Sequence, residues 1–414
     1  MAIADPHPTR IGASTEARPC ELSGITDRMD VTVDKLVYGG YGLARHRGEV
    51  VFIPFAAPGD RLAVRPVERK KGIIFARIER VLEPSPVRQS PRCPHFQICG
   101  GCQFQHLTAA AEREAKSQFV RESLGRLGGI DWPHEIPLVS GPEYEYRLRT
   151  QLKIAVHDDR VEVGYFKPAS HDLCPIDACP LLSPALNEAL SRLRQLPARS
   201  FRGVKTIDLV EGDGGRVATH PVMTPWSVEG VTVSVGEWTY HVDARSFFQV
   251  NRFLLEDLLN LAVGSGTRGE GVVDLYCGVG FFSLPLARTF DRVIGVESDA
   301  HSVRRARENA RRHGLENIEF VVSSVEGWLE RNQGARNIDR VLIDPPRSGL
   351  SRRIVRGIVG LGPSMVTYVS CNPTTLARDL NWFQQGGYQL SSLVAIDLFP
   401  QTFHIETVAH LVRR

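Results

Sequence analysis

From residue 271 onward the chain alternates short apolar runs with longer amphipathic stretches. VVDLYC, RVIGVE, IEFVVS, RVLIDP and MVTYVSC are the apolar runs, and helical spacing fills 281–290, 299–313, 325–332, 351–361 and 373–385 between them. Runs that are mostly apolar, without strict alternation, suit strands buried on both faces. Their alternation with helices predicts a doubly wound parallel α/β sheet. The closing segments, YQLSSLVAIDLF and HIETVAHLVRR, have no helix between them and predict an antiparallel pair at the sheet edge.

Upstream the period shortens to two. Between about 28 and 82, alternating runs break at Gly39-Gly40, Gly42 and Pro58-Gly59-Asp60 and stop at Pro84, which predicts a small β-barrel. The middle of the chain reads as mixed: a helix over 108–128, strands at 145–156 and 160–167, a helix over 183–195 with a Ser cap and Pro184, then strands within 203–242. Residues 1–21 carry Pro6, Pro8 and Pro19 with no hydrophobic period and read as a flexible tail. Four units follow: 1–21 tail, 22–83 barrel, 84–240 central domain and 241–414 α/β domain.

Over 414 residues, 42% hydrophobic and 23% charged positions exclude a disordered chain, a collagen and a coiled coil. No stretch approaches the ~18 uninterrupted apolar residues of a membrane helix. The N-terminus lacks the apolar core of a secretory signal, so a cytoplasmic protein is expected. The net charge of +3 neither demands nor excludes nucleic acid. Locally, nine Lys/Arg between Arg61 and Arg92 face only Glu68, Glu79 and Glu83. A solvated charged face and a nucleic-acid-binding barrel both remain open.

Several residues carry candidate chemistry. Gly278 and Gly280 follow the first apolar run and precede a helix, where backbone can approach a ligand closely. The third glycine of the dinucleotide fingerprint is replaced by Ser283, which disfavours NAD and an oxidoreductase. Glu297 ends the second run, where a carboxylate can accept from ribose hydroxyls; Asp344 ends the fourth, ahead of Pro345-Pro346. Cys371 ends the fifth, just before a helix start marked by Pro373, where the helix dipole favours a thiolate. Cys277 shares the glycine loop and reads as packing. Cys93-x5-Cys99-x2-Cys102, with Cys179 or Cys174 downstream, offers four thiolates that suit zinc or an iron–sulfur cluster; spacing does not separate the two. His95 and His106 lie nearby and are not read as ligands.

These motifs together resemble the RNA uracil-5 methyltransferases, which make 5-methyluridine in bacterial 23S rRNA and in tRNA. The likeness covers nearly the whole chain. FFQVN at 247–251, DLYCGVGFFSLPLA, IDPPRSG, SCNPTTLARDL at 370–380 and DLFPQTFHIETV occur in the family's order. The resemblance implies a Rossmann-like S-adenosylmethionine-dependent domain and, over 22–83, a TRAM domain, an OB-like RNA-binding barrel. It implies Cys371 as nucleophile, Glu406 as base, and Gln249, Tyr276, Gly278, Glu297 and Asp344 at the cofactor. It also implies a [4Fe–4S] cluster on Cys93, Cys99, Cys102 and Cys179, and 23S rRNA as the RNA, with tRNA as alternative. No obligate protein partner is implied. A non-catalytic RNA-binding protein on a relict fold is the competing reading, opposed by the presence of Cys371, Glu406 and Glu297. Phe281 departs from the small or polar residue of many members, which brings a cofactor contact there into question.

Overall fold

A computed structural model describes residues 28–226, 228–264 and 268–414. The expected tail over 1–21 and the first positions of the barrel unit lie outside the described residues.

Strands β1 (Met29–Val37), β2 (Tyr41–His46), β3 (Glu49–Pro54), β4 (Arg61–Lys70) and β5 (Ile73–Glu83) close into a barrel of order β1-β2-β3-β5-β4. Closure follows from the alternation: Val31, Val33, Val51, Ile53, Leu62, Val64 and Ile74 fill the interior, while the residues between them face outward. Helix α1 (Ala109–Ser123), capped by the Thr108 hydroxyl, and a two-residue strand β6 (Leu138–Val139) come next. A five-stranded antiparallel sheet of order β11-β10-β7-β8-β9 then forms from β7 (Arg149–His157), β8 (Arg160–Phe166), β9 (Leu173–Pro175), β10 (Thr206–Glu211) and β11 (Val217–His220). Helix α2 (Pro184–Gln195) packs on it through Leu186, Leu190 and Leu193, with Ser183 as cap. A hairpin of β12 (Gly230–Val235) and β13 (Trp238–Asp243) leads to helix α3 (Leu255–Val263).

The α/β unit runs β14 (Gly269–Leu275), α4 (Ser283–Leu286), β15 (Phe290–Glu297), α5 (Ala300–Arg312), β16 (Ile318–Val322), α6 (Val325–Arg331), β17 (Arg340–Ile343), α7 (Arg352–Leu361), β18 (Met365–Ser370), α8 (Pro373–Gln385), β19 (Tyr388–Ile396) and β20 (Glu406–Arg413). Its sheet order is β16-β15-β14-β17-β18-β20-β19-β6. The first five of these strands are parallel; β20 is antiparallel to β18 and to β19. Successive strand residues enter opposite cores: Val272, Val293 and Leu342 on one face, Val273, Val341 and Ile343 on the other. Both faces are covered, hence runs that are mostly apolar rather than alternating.

Three features differ from the sequence expectation. The helix expected over 281–290 is only Ser283–Leu286, because Pro285 donates no main-chain hydrogen bond and Arg288 and Thr289 bond back to Pro285 and Leu286 in a tighter turn. The closing antiparallel pair is not the sheet edge: β19 accepts β6 from the central segment as a further strand. The hairpin at 230–243 precedes residue 241 almost entirely, yet Val231, Val233, Trp238 and Tyr240 share one core with Leu284, Val303 and Phe320.

Candidate active site at the carboxyl edge of the sheet

The loop after β14 turns through left-handed backbone at Tyr276 (φ 65°), Gly278 (φ 53°) and Gly280 (φ 89°). The two glycines serve different ends. A Cβ on Gly280 would come within 2.8 Å of Leu284, so close packing requires glycine there. A Cβ on Gly278 would meet nothing within 4 Å, so this backbone faces open room. Glu297 ends β15 and turns back to this loop. One of its carboxylate oxygens accepts the Gly278 N–H at 3.3 Å; the other accepts the Asp299 N–H at 2.8 Å and the Ser298 hydroxyl at 3.1 Å.

Beneath the loop lies Asp274, fully buried. Its Oδ2 accepts the Ser283 hydroxyl at 2.5 Å, while its Oδ1 has no partner. Burial pushes its carboxyl up to about 7, against the Ser283 hydrogen bond and aided by the charges of Asp344 and Glu297. An orphaned buried carboxylate oxygen costs free energy until a donor or cation satisfies it. S-adenosylmethionine is a cationic ligand with an ammonium, a sulfonium and two ribose hydroxyls. An open glycine loop, a carboxylate at the second strand end and an unsatisfied buried carboxylate fit it. Phe281 does not obstruct this room. It is buried, packs on Tyr240, Phe248 and Phe282, and points into the core. The adjacent FFQVN segment divides: Phe248 is core, Phe247 is 44% exposed. Gln249 donates from Nε2 to Asp344 Oδ2 at 3.1 Å, which joins two of the expected cofactor residues.

Asp344, Cys371 and Glu406 meet at the ends of β17, β18 and β20. The β18–β20 register pairs Ser370 with Thr407, and its continuation by one residue sets Cys371 opposite Glu406. Helix α8 begins immediately after, with the Asn372 side chain accepting the Thr374 N–H and Pro373 at its first position. The helix-dipole expectation for Cys371 is overturned. Burial and then the Glu406 charge push the thiol up to about 12, and Arg347 opposes them only in part. Glu406 itself is raised well above the ordinary carboxyl range by burial and by Asp344, with Arg347 again opposing. Burial likewise lifts Asp344 to about 7 against its Gln249 hydrogen bond. Three acidic groups in one low-dielectric pocket resist ionising together.

Three residues beside this pocket escaped sequence reasoning. Arg347 lies within IDPPRSG and His404 within HIETV; their side chains approach at 3.3 Å, and His404 Nδ1 is buried without a partner. A cation and an imidazole inside the quoted motifs were the available signal. Tyr38 comes from the barrel. Its hydroxyl is raised by burial and by Cys371, and only the tertiary fold reveals that nearness.

Cys93, Cys99, Cys102 and Cys179 line a single cavity with Arg147 and Tyr165, whereas Cys174 is buried in the core under α2. Gln105 braces the cavity: its Oε1 accepts the Cys93 N–H at 2.9 Å and its Nε2 donates to Cys102 Sγ at 3.3 Å. Burial pushes Cys99 up to about 12 and raises Cys93 and Cys102, with neighbouring thiols adding to each. Among the described residues, no three His, Cys, Asp or Glu are set to hold one metal ion.

Carboxylates neutralise only part of the basic excess on the barrel. Arg61 pairs with Glu83, Arg65 with Glu79, Arg69 with Glu49, and Arg88 with the fully buried Asp60. Among the described residues Lys70, Lys71, Arg77 and Arg80 carry no carboxylate partner. Elsewhere, Arg92 stacks on Tyr144 at 4.7 Å and Arg149 on Phe247 at 5.6 Å.

Comparison with known proteins agrees with this geometry. Residues 222–414 match the family described as tRNA (Uracil-5-)-methyltransferase, and residues 29–87 match the TRAM domain of tRNA (uracil(54)-C(5))-methyltransferase. A 23S rRNA (uracil(1939)-C(5))-methyltransferase of Edwardsiella ictaluri is 35% identical over 92% of this chain and 94% of its own. An RNA methyltransferase of Aquifex aeolicus is 33% identical over 92% and 98%. The crystal structure of Pyrococcus abyssi tRNA (uracil-54, C5)-methyltransferase with S-adenosyl-L-homocysteine superposes with a TM-score of 0.73 at 27% identity, covering 93% of this chain and 99% of that one. No helix among the described residues is long and apolar enough to cross a membrane. Relatives more than 30% identical over most of both chains, with the two domain matches, settle the family: the chain belongs to the S-adenosylmethionine-dependent RNA uracil-C5 methyltransferases that carry a TRAM domain.

Proposed function

We propose that this enzyme methylates C5 of a uridine in 23S rRNA through a covalent bond between Cys371 and C6 of the base. One observation carries the reading: the strand register sets Cys371 opposite Glu406 in a buried pocket that also holds Asp344 and Arg347. Uracil C5 is a weak nucleophile. The Cys371 thiol gives up its proton to solvent, and addition of the thiolate to C6 pushes electron density onto C5 and O4 as an enolate. Arg347 favours the thiolate and steadies the developing negative charge. Bound S-adenosylmethionine, held by Gln249, Tyr276, Gly278, Glu297 and Asp344, supplies the methyl group that ends on C5. Glu406 then takes the C5 proton; the C–H electrons restore the C5–C6 double bond and the C6–S bond breaks to release Cys371. A carboxyl lifted by burial is a stronger base than an ordinary one, which suits this step. The uridine reaches such a pocket only single-stranded or flipped from its stack.

The 23S assignment draws on the full-length ribosomal relatives and on the thiols at 93, 99, 102 and 179. We assign a [4Fe–4S] cluster to those thiols. All four line one cavity, and four cysteine thiolates are the ligand set such a cluster takes. The methylation needs no electron transfer, so the cluster's role is structural or in RNA binding. A ribosomal RNA substrate supports a cytoplasmic enzyme. The tRNA reading is favoured by the named substrate of the Pyrococcus structure. Nucleoside mass spectrometry of rRNA and tRNA from a deletion strain separates the two.

The mechanism is tested on denaturing gels. Cys371→Ala should give neither a protein–RNA band nor product. Glu406→Gln should attack, methylate and stall, giving a stable band. Near-normal turnover by Glu406→Gln rejects it as the base, and product from Cys371→Ala rejects the covalent route.

A further inference from the structure

The Glu406 carboxylate accepts no hydrogen bond from any described residue. Its placement is therefore set by its main chain: the pairing with Ile396 and the strap of nine residues, 397–405, that leads into it. That strap is held by the central domain. Lys116, on α1 and fully buried, donates to Asp397 Oδ1 at 2.7 Å, to the Phe399 carbonyl at 3.0 Å and to Glu112 Oε1 at 2.7 Å. Three protons and three acceptors leave the ammonium saturated. Glu112 Oε1 also accepts the Gln401 N–H at 2.7 Å. The Gln401 carbonyl accepts the N–H groups of Gln103 and Phe104, both at 3.0 Å, the two residues directly after Cys102. Tyr146 donates its hydroxyl to the Pro400 carbonyl at 3.1 Å. Gln401 is held in left-handed backbone (φ 69°), so the turn that aims the strap at Glu406 is fixed by contacts from outside the strap.

We propose that Lys116 and Glu112, with the main-chain amides that follow Cys102, are positioning groups for Glu406, so that the central domain governs removal of the C5 proton and not attack on C6. The inference rests on Glu406 being the base. Lys116 reaches no reacting atom; it acts through Asp397, Phe399 and Gln401. Cys371, between the end of β18 and the Asn372 cap of α8, makes none of these contacts, which is why the two chemical steps separate.

The test uses the full-length enzyme and RNA tritiated at uridine C5. Tritium release reports proton removal, and a denaturing gel reports the covalent intermediate. Lys116→Met should bind S-adenosylmethionine normally and form the covalent band at the wild-type rate. It should then release tritium at least tenfold more slowly, so that the methylated band accumulates. RNA KM should stay within about twofold while kcat falls. Loss of one member of a buried ion network can prevent folding, so Tyr146→Phe, which removes a single hydroxyl, is measured alongside. It should slow tritium release several-fold in the same direction. A folded Lys116→Met with normal tritium release overturns the proposal, as does one that never forms the covalent band. Glu406→Gln run in parallel separates the two ideas: a stalled band in Glu406→Gln with wild-type behaviour in Lys116→Met and Tyr146→Phe sinks the positioning role alone, whereas no stalled band in Glu406→Gln removes the base assignment beneath it.

Discussion

Replacing Asp274 by Asn should make the ligand-free enzyme more stable, and increasingly so as pH rises. Asp274 is wholly buried, one of its oxygens is orphaned, and burial lifts it from 3.8 to about 7. A carboxyl raised on folding binds its proton more tightly in the native state. Stability is therefore lost as pH climbs from the unfolded to the folded value and levels off above it. At 1.36 kcal/mol per tenfold change in proton affinity, ionisation costs about 3 kcal/mol of stability at pH 6 and about 4 kcal/mol at pH 8. Asparagine does not titrate and keeps an oxygen for the Ser283 hydroxyl, and every other titrating group is common to both proteins. The gap in stability should therefore widen by about 1 kcal/mol between pH 6 and pH 8, or roughly 2–4 °C in Tm for a unit of this size. Thermal scans of both proteins without ligand at several pH values measure it. The same variant should bind S-adenosylmethionine more weakly, since it lacks the charge the cation meets. A gap that stays constant or narrows toward pH 8 refutes the argument that Asp274 stores an unmet charge.

Three further outcomes follow from other parts of the molecule. With the Cys371 thiol near 12, its alkylation should rise about tenfold per pH unit from 7 to 10; a plateau below pH 9 contradicts this, and Arg347→Gln should slow alkylation at every pH because a cation that favours the thiolate is gone. Protein purified without oxygen should hold iron and sulfide in near-equal amounts; Cys179→Ser should lower both and Cys174→Ser neither, and zinc alone would sink the cluster. On the barrel, Arg77→Gln should reduce the salt dependence of RNA binding by roughly 0.7–0.9 in log–log slope; Arg88→Gln should instead lower thermal stability, because Arg88 neutralises the buried Asp60 and holds the Phe55 carbonyl.

Much of this enzyme was legible along the chain, because some physics is local. Runs such as VVDLY and RVLI are mostly apolar without alternating polar positions because both faces of their strands are covered, and with helices between them that implies a parallel sheet. Asn372-Pro373 starts α8 where the cap chemistry says it must, and Gly278, Glu297, Asp344 and Cys371 stand at successive strand ends on the edge where such sheets bind ligands. What lay beyond reach depends on groups far apart in sequence. The 84–240 segment gives α1 and β6 to the catalytic unit, and Lys116 reaches Asp397 across 281 positions; no periodicity reports such a contact. The order β18-β20-β19, not any motif, sets Cys371 opposite Glu406. Phe247 and Phe248 look alike in sequence and part company only when strand and helix positions decide which ring is covered. The sign of the Cys371 shift has the same origin. A helix start is written in local sequence and favours the thiolate, but burial and a carboxylate from another strand exist only after folding, and in a pocket that excludes water they outweigh the dipole.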